Sequence, residues 1–476
     1  MIILTRTISK ILTAGLALFM LMSCGRNEPG PSLLILTEAP GALGTPDYLS
    51  GVSWRYMSGA RISKLVPGKP GSLKVLTEDF HSAAFPHISY DGRSMLFAAM
   101  ENEGEPWQIW EMNLRNGKYR KVVSSSDDCT DPSYLPGGRI VFSRRTLNDT
   151  VVNAHCVYMC NLDGSSLRQT TFSPVSYFAN CVLKDGRVLS IATEIQPDMG
   201  KTMMAVMRPD GTKGDMLYRI PEGNNVISRA CETKEGKIVF AEADNVGTGK
   251  NDIISISYNR PLHTRINLTS DLDGDFIFAL PLLTGELLVS YRTGFGEPYG
   301  LFEFDPGQRS LGRQVYYDPE YNVIEVIAAE EYQRPKNLPS EVDLGVKTGL
   351  IMCQNINFRG LQPSLTSNGG LKASRIEVLG VDSTYGVVDV EEDGSFYLKV
   401  LADKPFRIRT LDNNGNVVGE TCSWIWLRPN ERRGCVGCHE DPELVPENRI
   451  PLAVRKDPAI IPVHITSIDE KSVELE

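Results

Sequence analysis

The sequence has little positive charge and few long apolar runs, and both shortages restrict what the protein can be. Its 49 Lys and Arg residues are outnumbered by 59 Asp and Glu residues, which gives a net charge of −10. That balance disfavours nucleic acid as a partner. Beyond residue 22 no stretch is apolar for long enough to span a bilayer. The 476 residues nevertheless allow two or three domains with large cores.

Recognisable hydrolytic machinery is also missing. No Ser-His-Asp arrangement, phosphate-binding loop or glycosidase signature stands out along the chain. Acidic pairs such as Asp271 and Asp273 are common in β-turns and do not indicate catalysis. Whether the protein is an enzyme therefore stays open at this point.

The N-terminus has the layout of an export signal. Arg6 and Lys10 precede an apolar run at residues 11–22, which is short for a membrane span. The run leads through Leu21-Met22-Ser23 to Cys24, the pattern of a bacterial lipobox with cleavage before the cysteine and acylation of its thiol. The alternative is an ordinary signal peptide followed by a stray cysteine.

These signals predict a signal peptide at 1–23 and a tether at 24–32. The mature chain would be held at the cell envelope by lipid on Cys24. Gly25 follows this cysteine, and the absence of aspartate there favours the outer membrane, on its periplasmic or its surface face.

A tight-turn motif repeats along the N-terminal region at a spacing of 46 to 50 residues. Each copy is followed by an alternating or apolar strand and then by a second hairpin, as expected for four-stranded propeller blades. The five copies are Asp91-Gly92-Arg93, Gly137-Gly138-Arg139, Asp185-Gly186-Arg187, Glu235-Gly236-Lys237 and Thr284-Gly285-Glu286.

Outer-strand positions count six units, one more than the turn motif. We expect residues 323–329 to supply the missing inner strand, closing the ring against strands from 33–78. The sequence therefore predicts an all-β protein with a six-bladed β-propeller at 33–335, whose blades resemble the TolB-like type. A β-sandwich, or several small β domains, is the alternative.

One position recurs five residues before each turn glycine, near the expected central channel. His87 occupies it in the first copy and could face a site at the channel mouth, although a hydrogen-bonded structural histidine is the simpler interpretation. The corresponding residues in the other copies are Ser133, Cys181, Cys231 and Leu280.

A proline-containing linker at 331–339 ends the periodic region. Five further strand patterns follow, with hairpin signals at Asp393-Gly394 and Asn414-Gly415. They predict a small antiparallel sandwich within a second domain at 336–445, and a C-terminal tail at 446–476.

The motif Cys435-Val436-Gly437-Cys438-His439 lies at the end of that second domain. Two cysteines two residues apart, followed directly by histidine, form the attachment signature of a c-type haem. The thiols of Cys435 and Cys438 can form thioethers with the two porphyrin vinyl groups, and His439 is the default iron ligand. An export signal and this motif support each other.

Residues around the motif could complete a haem site. Trp424 and Trp426 suit the apolar wall of a porphyrin pocket, or they could cap the sandwich core. Arg432 and Arg433 could neutralise haem propionates, or they could be ordinary surface arginines. For the sixth iron ligand the candidates are His464, His87, or none.

The run from Trp424 to Asp441 resembles the haem-binding middle domain of the hydrazine synthase alpha subunit family. That family places this domain after a six-bladed propeller, the order inferred here. The resemblance implies one covalent haem c on Cys435 and Cys438, and with it an electron-transfer or redox role alongside a possible redox partner protein.

The resemblance does not transfer hydrazine synthesis to this chain. The alpha subunit carries a further C-terminal domain with a second haem, and catalysis in the family needs partner subunits. Catalytic members also take an iron ligand from a tyrosine shortly after the motif, whereas Glu440, Asp441, Pro442 and Glu443 follow it here.

Two other functions remain as alternatives. The propeller could recruit a partner or glycan, with the CxxCH motif vestigial. The motif could instead hold zinc, with Cys422 or Glu443 as a fourth ligand, although thiols tend to oxidise outside the cytoplasm.

Overall fold

The computed structural model describes residues 31–41, 43, 56–146, 154–196, 202–244, 250–358, 372–419, 421–437 and 448–462. Within these ranges the regular structure is almost entirely β, with a short 3-10 helix at Leu452–Arg455. None of the helices in the described ranges is long and apolar enough to cross a membrane. Cys24, Cys438, His439 and His464 lie outside the described residues.

The first 25 strands form six sheets. Blade 6 takes its three outer strands from the start of the chain, and blades 1 to 5 follow in sequence order. The strands of blade 6 are β1 (Leu34–Pro40), β2 (Arg61–Leu65) and β3 (Lys74–Val75); those of blade 1 are β4 (Ser82–Ile88), β5 (Ser94–Met100), β6 (Gln108–Asn113) and β7 (Tyr119–Val123); those of blade 2 are β8 (Cys129–Leu135), β9 (Arg139–Thr146), β10 (Ala154–Asn161) and β11 (Arg168–Gln169); those of blade 3 are β12 (Val175–Val182), β13 (Val188–Glu194), β14 (Thr202–Met207) and β15 (Asp215–Arg219).

Blade 4 differs because its inner strand is divided into two short pieces that both pair with the same neighbour. Its strands are β16 (Asn224–Val226), β17 (Cys231–Glu232), β18 (Lys237–Asp244), β19 (Asn251–Ser257) and β20 (Ile266–Asn267); those of blade 5 are β21 (Asp275–Pro281), β22 (Leu287–Arg292), β23 (Gly300–Asp305) and β24 (Ser310–Tyr316).

The ring closes where the sequence predicted. Strand β25 (Tyr321–Ala328) pairs antiparallel with β1 and becomes the inner strand of blade 6. Inner strands then contact each other around the ring, β4 with β8, β8 with β12, β21 with β25, and β25 with β4, while blades 3 and 4 share a hydrophobic core. Because N- and C-terminal strands share one sheet, the last blade has no open inner edge. The predicted all-β propeller fold is confirmed.

The repeated turns have the geometry that their glycines predict. Each carries its glycine at positive φ, for example +89° at Gly186 and +77° at Gly236. Glycine adopts this conformation without the steric cost that other residues meet. The turns join the two innermost strands of each blade, and so they all lie at one face of the propeller.

Residues 330–341, which we call the strap, run across that face in extended conformation. The Tyr332 and Lys336 amides donate to the carbonyls of Tyr90 and Lys184, at 3.1 and 3.0 Å. The Tyr332 hydroxyl donates to the Ile88 carbonyl at 2.8 Å. Arg139 of blade 2 also donates to Asn337 Oδ1 of the strap at 3.1 Å. The predicted linker is thus bound to three successive blades rather than spanning solvent.

After the strap the chain forms a two-sheet sandwich. One sheet has the order β31-β26-β29-β32 and the other has the order β28-β27-β30. The strands are β26 (Thr348–Asn355), β27 (Arg375–Leu379), β28 (Thr384–Asp389), β29 (Phe396–Leu401), β30 (Arg407–Leu411), β31 (Arg432–Gly437) and β32 (Ala459–Ile461).

The expectation of a purely antiparallel sandwich was wrong. β31 pairs parallel with β26, and β32 pairs parallel with β29. Each arrives after a long excursion of the chain, so no hairpin turn dictates its direction. The region expected to be a tail thereby contributes a sheet strand. Both sheets bury one face in a common core that includes Ile351, Leu398, Ile376, Phe406 and Val378.

Candidate cofactor pocket between the propeller and the sandwich

The first half of the CxxCH motif is an edge strand. In β31, Arg433 lies opposite Ile351, and Cys435 lies opposite Cys353 of the parallel neighbour β26. Gly437 ends the strand against Phe358, whose backbone oxygen would collide with any Cβ placed there. The glycine between the two cysteines is therefore required by packing.

The tryptophan segment fixes the sandwich to the flank of the propeller. Trp426 is 4% exposed and packs in one cluster with Leu135 and Val157 of blade 2 and Val175 and Tyr177 of blade 3. Its ring meets Tyr177 edge to face, with 6.0 Å between centroids. Edge-to-face pairs of this kind add to the hydrophobic gain from burial. Trp426 is therefore a wedge between two blades.

Trp424 makes a second contact with blade 3. Its indole Nε1 donates a 2.6 Å hydrogen bond to the Gln196 carbonyl, just after β13. The Arg407 guanidinium lies 5.6 Å from the centre of its ring. Neither tryptophan simply caps the sandwich core, since both contact the propeller.

Charged groups strengthen the same junction. Arg428 is 5% exposed and donates to the Asp210 carbonyl at 3.1 Å and to Asp403 Oδ1 at 2.7 Å. Its guanidinium also lies 4.6 Å from the centre of the Phe172 ring. The Asp403 carboxyl has its pKa raised by burial to about 6, although the Arg428 charge opposes this rise.

Glu431 is the second charged anchor, and its side chain is fully buried. Its carboxylate accepts from the Lys213 and Arg428 amides, both at 2.8 Å, and from Arg433 Nε and Nη2 at 3.0 and 2.8 Å. A buried carboxylate is tolerated when its oxygens are satisfied in this way. One of its partners comes from blade 3, so Glu431 links strand β31 to the propeller.

A cavity of about 530 Å³ lies between blade 3, the sandwich and the motif strand. This volume is within the range of roughly 300–1,000 Å³ typical of small-molecule and cofactor sites. Its lining is mostly apolar and aromatic, and includes Tyr177, Met203, Met207, Met216, Ile356, Phe396, Ile408, Trp424, Trp426, Cys435 and Gly437.

Polar groups in the wall belong mainly to blade 3. Lys213, Asp215, Arg219 and Glu194 contribute side chains to the lining, together with Arg433 from the motif strand. Part of the Asp215 side chain remains accessible to solvent in this wall. The surrounding protein nevertheless desolvates its carboxyl and raises the pKa, although the Arg433 charge opposes this rise. The cavity thus has an excess of cationic groups beside a large apolar surface.

The structure brings together four of the predicted site residues. Cys435, Trp424, Trp426 and Arg433 all line the cavity. Arg433 is already held by Glu431, which restricts how it could serve a second anion. Arg432 is exposed and does not line the cavity, because alternate residues of a strand face opposite sides.

His87 lies elsewhere, in the central channel. The Tyr134 amide donates to its Nδ1 at 3.4 Å. Burial, reinforced by the Arg229 charge, lowers the pKa of His87 to about 3. Because the cavity is formed by blade 3 and the sandwich, His87 is excluded as a ligand there.

The recurring position has one register in four of its five copies. Ser133, Cys181, Cys231 and Leu280 each pair with the residue three positions after the turn glycine. His87 pairs one residue further along, opposite Leu96. Cys181 and Cys231 are free thiols, and burial raises the pKa of Cys231 to about 12. Thiols with raised pKa values are poor nucleophiles at neutral pH.

The volume and the mostly apolar lining of the cavity suit a porphyrin. The indole Nε1 of Trp426 is buried and has no hydrogen-bond partner among the described residues. Buried donors without a partner are uncommon in folded proteins. Within the described ranges no cluster of three or more His, Cys, Asp or Glu residues is arranged to hold a metal ion directly.

The sequence interpretation missed the propeller wall of this cavity. Tyr177, Met203 and Met216 could be assigned to a cofactor pocket only once blade 3 was known to contact the motif strand. One signal was available, since four methionines fall within residues 203–216. Methionine is enriched at adaptable binding surfaces.

Comparisons with known proteins agree with this architecture. Residues 351–440 match the model of the hydrazine synthase alpha subunit middle domain. The hydrazine synthase alpha subunit of Kuenenia stuttgartiensis is 23% identical to this chain. The alignment, gaps included, is 494 positions long and covers 77% of this chain. The chain resembles the hydrazine synthase alpha subunit. It spans 61% of the length of that relative.

The fold is shared with a solved structure. Kuenenia stuttgartiensis hydrazine synthase superposes with a TM-score of 0.77 at 20% identity, covering 90% of this chain and 72% of that one. TolB from Acinetobacter baumannii covers 61% of this chain and 65% of its own length, at 15% identity and a TM-score of 0.44. The expected resemblance to the alpha subunit family is thus confirmed, and the propeller is identified from its own six sheets.

Proposed function

We propose that the chain is an exported, lipid-anchored c-type haem protein whose flank cavity holds one covalent haem. The observation that carries the proposal is that Cys435 lines a cavity of cofactor size with Trp424 and Trp426. The match of residues 351–440 to the hydrazine synthase alpha subunit middle domain supports it. A haem held there supplies a one-electron iron couple.

Each wall of the cavity has a distinct task. Cys435, with Cys438, forms the covalent link. Trp424, Trp426 and Tyr177 exclude water from one side, because their large rings fill the junction between blades 2 and 3 and the sandwich. Excluding water lowers the local dielectric and so strengthens the electrostatic influence of nearby charges.

The cationic groups of blade 3 suit the propionates of a haem. Lys213 and Arg219 line the cavity, and neither is the main partner of a buried carboxylate in the way that Arg433 is. Guanidinium and ammonium groups bind carboxylates through charge-assisted hydrogen bonds. We therefore assign the propionates to Lys213 and Arg219, with Arg433 positioning the motif strand through Glu431.

The role that follows is electron transfer or another redox function at the cell envelope. The propeller serves as the rigid flank on which the haem domain is mounted. Hydrazine synthesis is not part of the proposal, because no tyrosine follows His439 at residues 440–443.

The decisive test is covalent haem content. The full chain, with its own signal, is produced in a bacterium equipped with a cytochrome c assembly system, and a pyridine-haemochrome spectrum is taken of the purified protein. One haem per chain is expected for the natural sequence and none for the Cys435→Ala/Cys438→Ala double variant. Cys422→Ala is the matched control, since Cys422 lines the same cavity outside the motif and its loss should leave haem content unchanged.

The opposite results are equally clear. A haem-free natural protein would refute the proposal and favour a propeller-based binding lipoprotein. Stoichiometric zinc that disappears in the Cys435→Ala/Cys438→Ala variant would favour a metal site of another kind.

The anchor is tested separately. Cys24→Ser should move the protein from the membrane fraction to the soluble fraction, because the serine hydroxyl is not acylated by the lipoprotein pathway. A variant that stays with the membrane would contradict lipid attachment at Cys24. Fractionation of inner and outer membranes from the natural protein tests the predicted outer-membrane location.

A further inference from the structure

We infer that the thioether of Met216, on the propeller, is the second axial ligand of the haem iron. The inference rests on the proposed covalent haem and goes beyond it, because it assigns the ligand opposite the motif histidine to a different domain. Thioether sulfur is an established haem ligand and gives a higher reduction potential than a nitrogen ligand does.

The methionines of blade 3 divide into two groups by the side of the sheet that they face. Met204 is fully buried in the core shared with blade 4, among residues such as Phe178 and Phe240. Met203, Met207 and Met216 lie on the other side and line the cavity. Three thioethers therefore face the space assigned to the haem.

Packing distinguishes among these three. Met207 is 1% exposed and belongs to the hydrophobic cluster of Tyr177 and Trp426, and Met203 is packed against that same cluster. Met216 is half-buried and lies outside the hydrophobic clusters formed by the described residues. Its side chain lines the cavity and does not pack in a hydrophobic core. An iron ligand needs this freedom, because it must turn towards the bound group.

The position of Met216 along its strand also suits the motif. The Lys213 amide donates to Glu431, and a Cβ at Gly214 would lie 3.3 Å from the Trp426 ring and 4.0 Å from Arg433 Nη2. Lys213 and Gly214 of blade 3 thus lie beside Glu431 and Arg433, where the motif strand begins. Met216 and Cys435 follow two positions after Gly214 and Arg433, and both line the cavity.

Within the described residues, the histidines are weaker candidates than Met216 for the second axial ligand. His87 belongs to the channel and is held by the Tyr134 amide, away from the cavity lining. His155 is fully buried, with its ring nitrogens within hydrogen-bond distance of Tyr56 and Ser176. No histidine in the described ranges lines the cavity, whereas three methionines do.

The test uses the matured full-length protein and compares Met216→Leu, Met203→Leu and Met204→Leu. Met204 is the matched control, since it lies on the neighbouring strand and faces away from the cavity. The ferric natural protein should show the weak near-infrared charge-transfer band of sulfur–iron ligation. Met216→Leu should lose this band, become high-spin and bind added cyanide, with haem content per chain unchanged.

A histidine at the same place provides a second check. Met216→His should restore a low-spin iron without the sulfur band and lower the reduction potential relative to the natural protein, because imidazole replaces thioether. Met203→Leu and Met204→Leu should retain both the band and the potential.

Several outcomes would overturn the assignment. The sulfur band could be missing from the natural holoprotein, it could survive in Met216→Leu, or it could disappear in Met203→Leu instead. Each of these leaves covalent haem attachment intact. A natural protein that acquires no haem is a different result, since it refutes the proposed function itself.

Discussion

The propeller offers two places for a ligand, its central channel and its flank, and these differ in volume and in the residues that line them. The channel retains a cavity of about 40 Å³, and its lining includes the charged residues Asp131, Arg229 and Glu325. The flank cavity has about 530 Å³ and an aromatic, methionine-rich lining. The channel space suits ordered water, whereas the flank accommodates a cofactor.

The difference comes from what covers each opening. Arg229 and Glu325 form an ion pair inside the channel, and Arg229 also donates to the Pro86 carbonyl at 2.9 Å. The strap then binds across the turns on the same face of the ring. There Tyr332 lies close enough to Arg229 for the guanidinium charge to oppose the rise in phenol pKa that burial causes. At the flank, Trp424, Trp426 and Arg428 lie between the sandwich and the blades. A cavity remains between the two domains beside these contacts. We therefore propose that this propeller carries its site on its flank and not on its axis.

The largest effect is expected when the wedge at the flank is removed. Trp426→Ala should lower the free energy of unfolding by about 3–5 kcal/mol, because a buried aromatic ring is lost and a cavity is left. Chemical denaturation monitored by circular dichroism checks this. Trp424→Ala should cost clearly less, since Trp424 is only half-buried. Equal costs for the two would mean that Trp426 is not the principal contact between the domains.

The two neighbouring arginines of the motif strand should differ next. Arg433→Ala removes two hydrogen bonds from the buried Glu431 carboxylate and should cost about 2–4 kcal/mol of unfolding free energy. Arg432→Ala should change it by less than about 0.5 kcal/mol, since the side chain is exposed. The same denaturation experiment distinguishes them. A large loss of unfolding free energy in Arg432→Ala would contradict the assignment of Arg432 to the exposed side of the strand and of Arg433 to the buried side.

The strap can be tested through a matched pair of turn glycines. A Cβ at Gly186 would collide with the Lys336 carbonyl of the strap, whereas nothing lies within 4 Å of a Cβ at Gly236. Both have positive φ, so Gly236→Ala should cost about 1–2 kcal/mol from backbone strain alone. Gly186→Ala should cost about 1–3 kcal/mol more, because the strap must also move. Thermal denaturation of both variants measures the difference; equal costs would show that the strap does not depend on this turn.

The remaining prediction concerns the channel and depends on pH. The pKa of His87 is about 3 in the folded chain, below the ordinary value of about 6.5, because burial and the Arg229 charge disfavour its protonation. The unfolded chain therefore binds the proton more readily between these values, and stability is lost as the pH falls from 6.5 towards 3. The slope from this residue is at most about 1.4 kcal/mol per pH unit.

His87→Gln should reduce that acid-induced loss while leaving stability at pH 8 less affected. Tyr134, Arg229 and its partner Glu325 remain around the position in both proteins, so the comparison isolates the imidazole. Urea titrations at a series of pH values provide the measurement. An unchanged pH dependence would contradict a neutral, buried His87.

Much of this architecture follows from local sequence patterns. The spacing of the turn glycines predicted the blades, and the count of outer strands predicted the inner strand at 323–329, which the structure has at Tyr321–Ala328. These features depend on turn chemistry and strand alternation, which are encoded within a few residues. The motif residues Cys435, Trp424, Trp426 and Arg433 were likewise identified before any geometry was known.

The remainder depends on contacts between distant segments. Met216 and Tyr177 belong to the candidate site only because Arg428, Glu431 and Trp426 dock the sandwich onto blade 3. Arg432 illustrates a different failure, since no strand was predicted at residues 432–437. Reading them as a strand would have placed Arg433 and Cys435 on one side and Arg432 on the other.

The central claim, that the cofactor lies at the flank and not in the channel, is tested most directly by locating the iron. Crystals of the matured protein, measured on both sides of the iron absorption edge, give an anomalous difference map whose peaks mark iron atoms. The account predicts one peak per chain, inside the cavity bounded by Cys435, Trp426 and Met216. A peak beside His87 in the central channel, or no peak in protein that has passed through haem maturation, would contradict it.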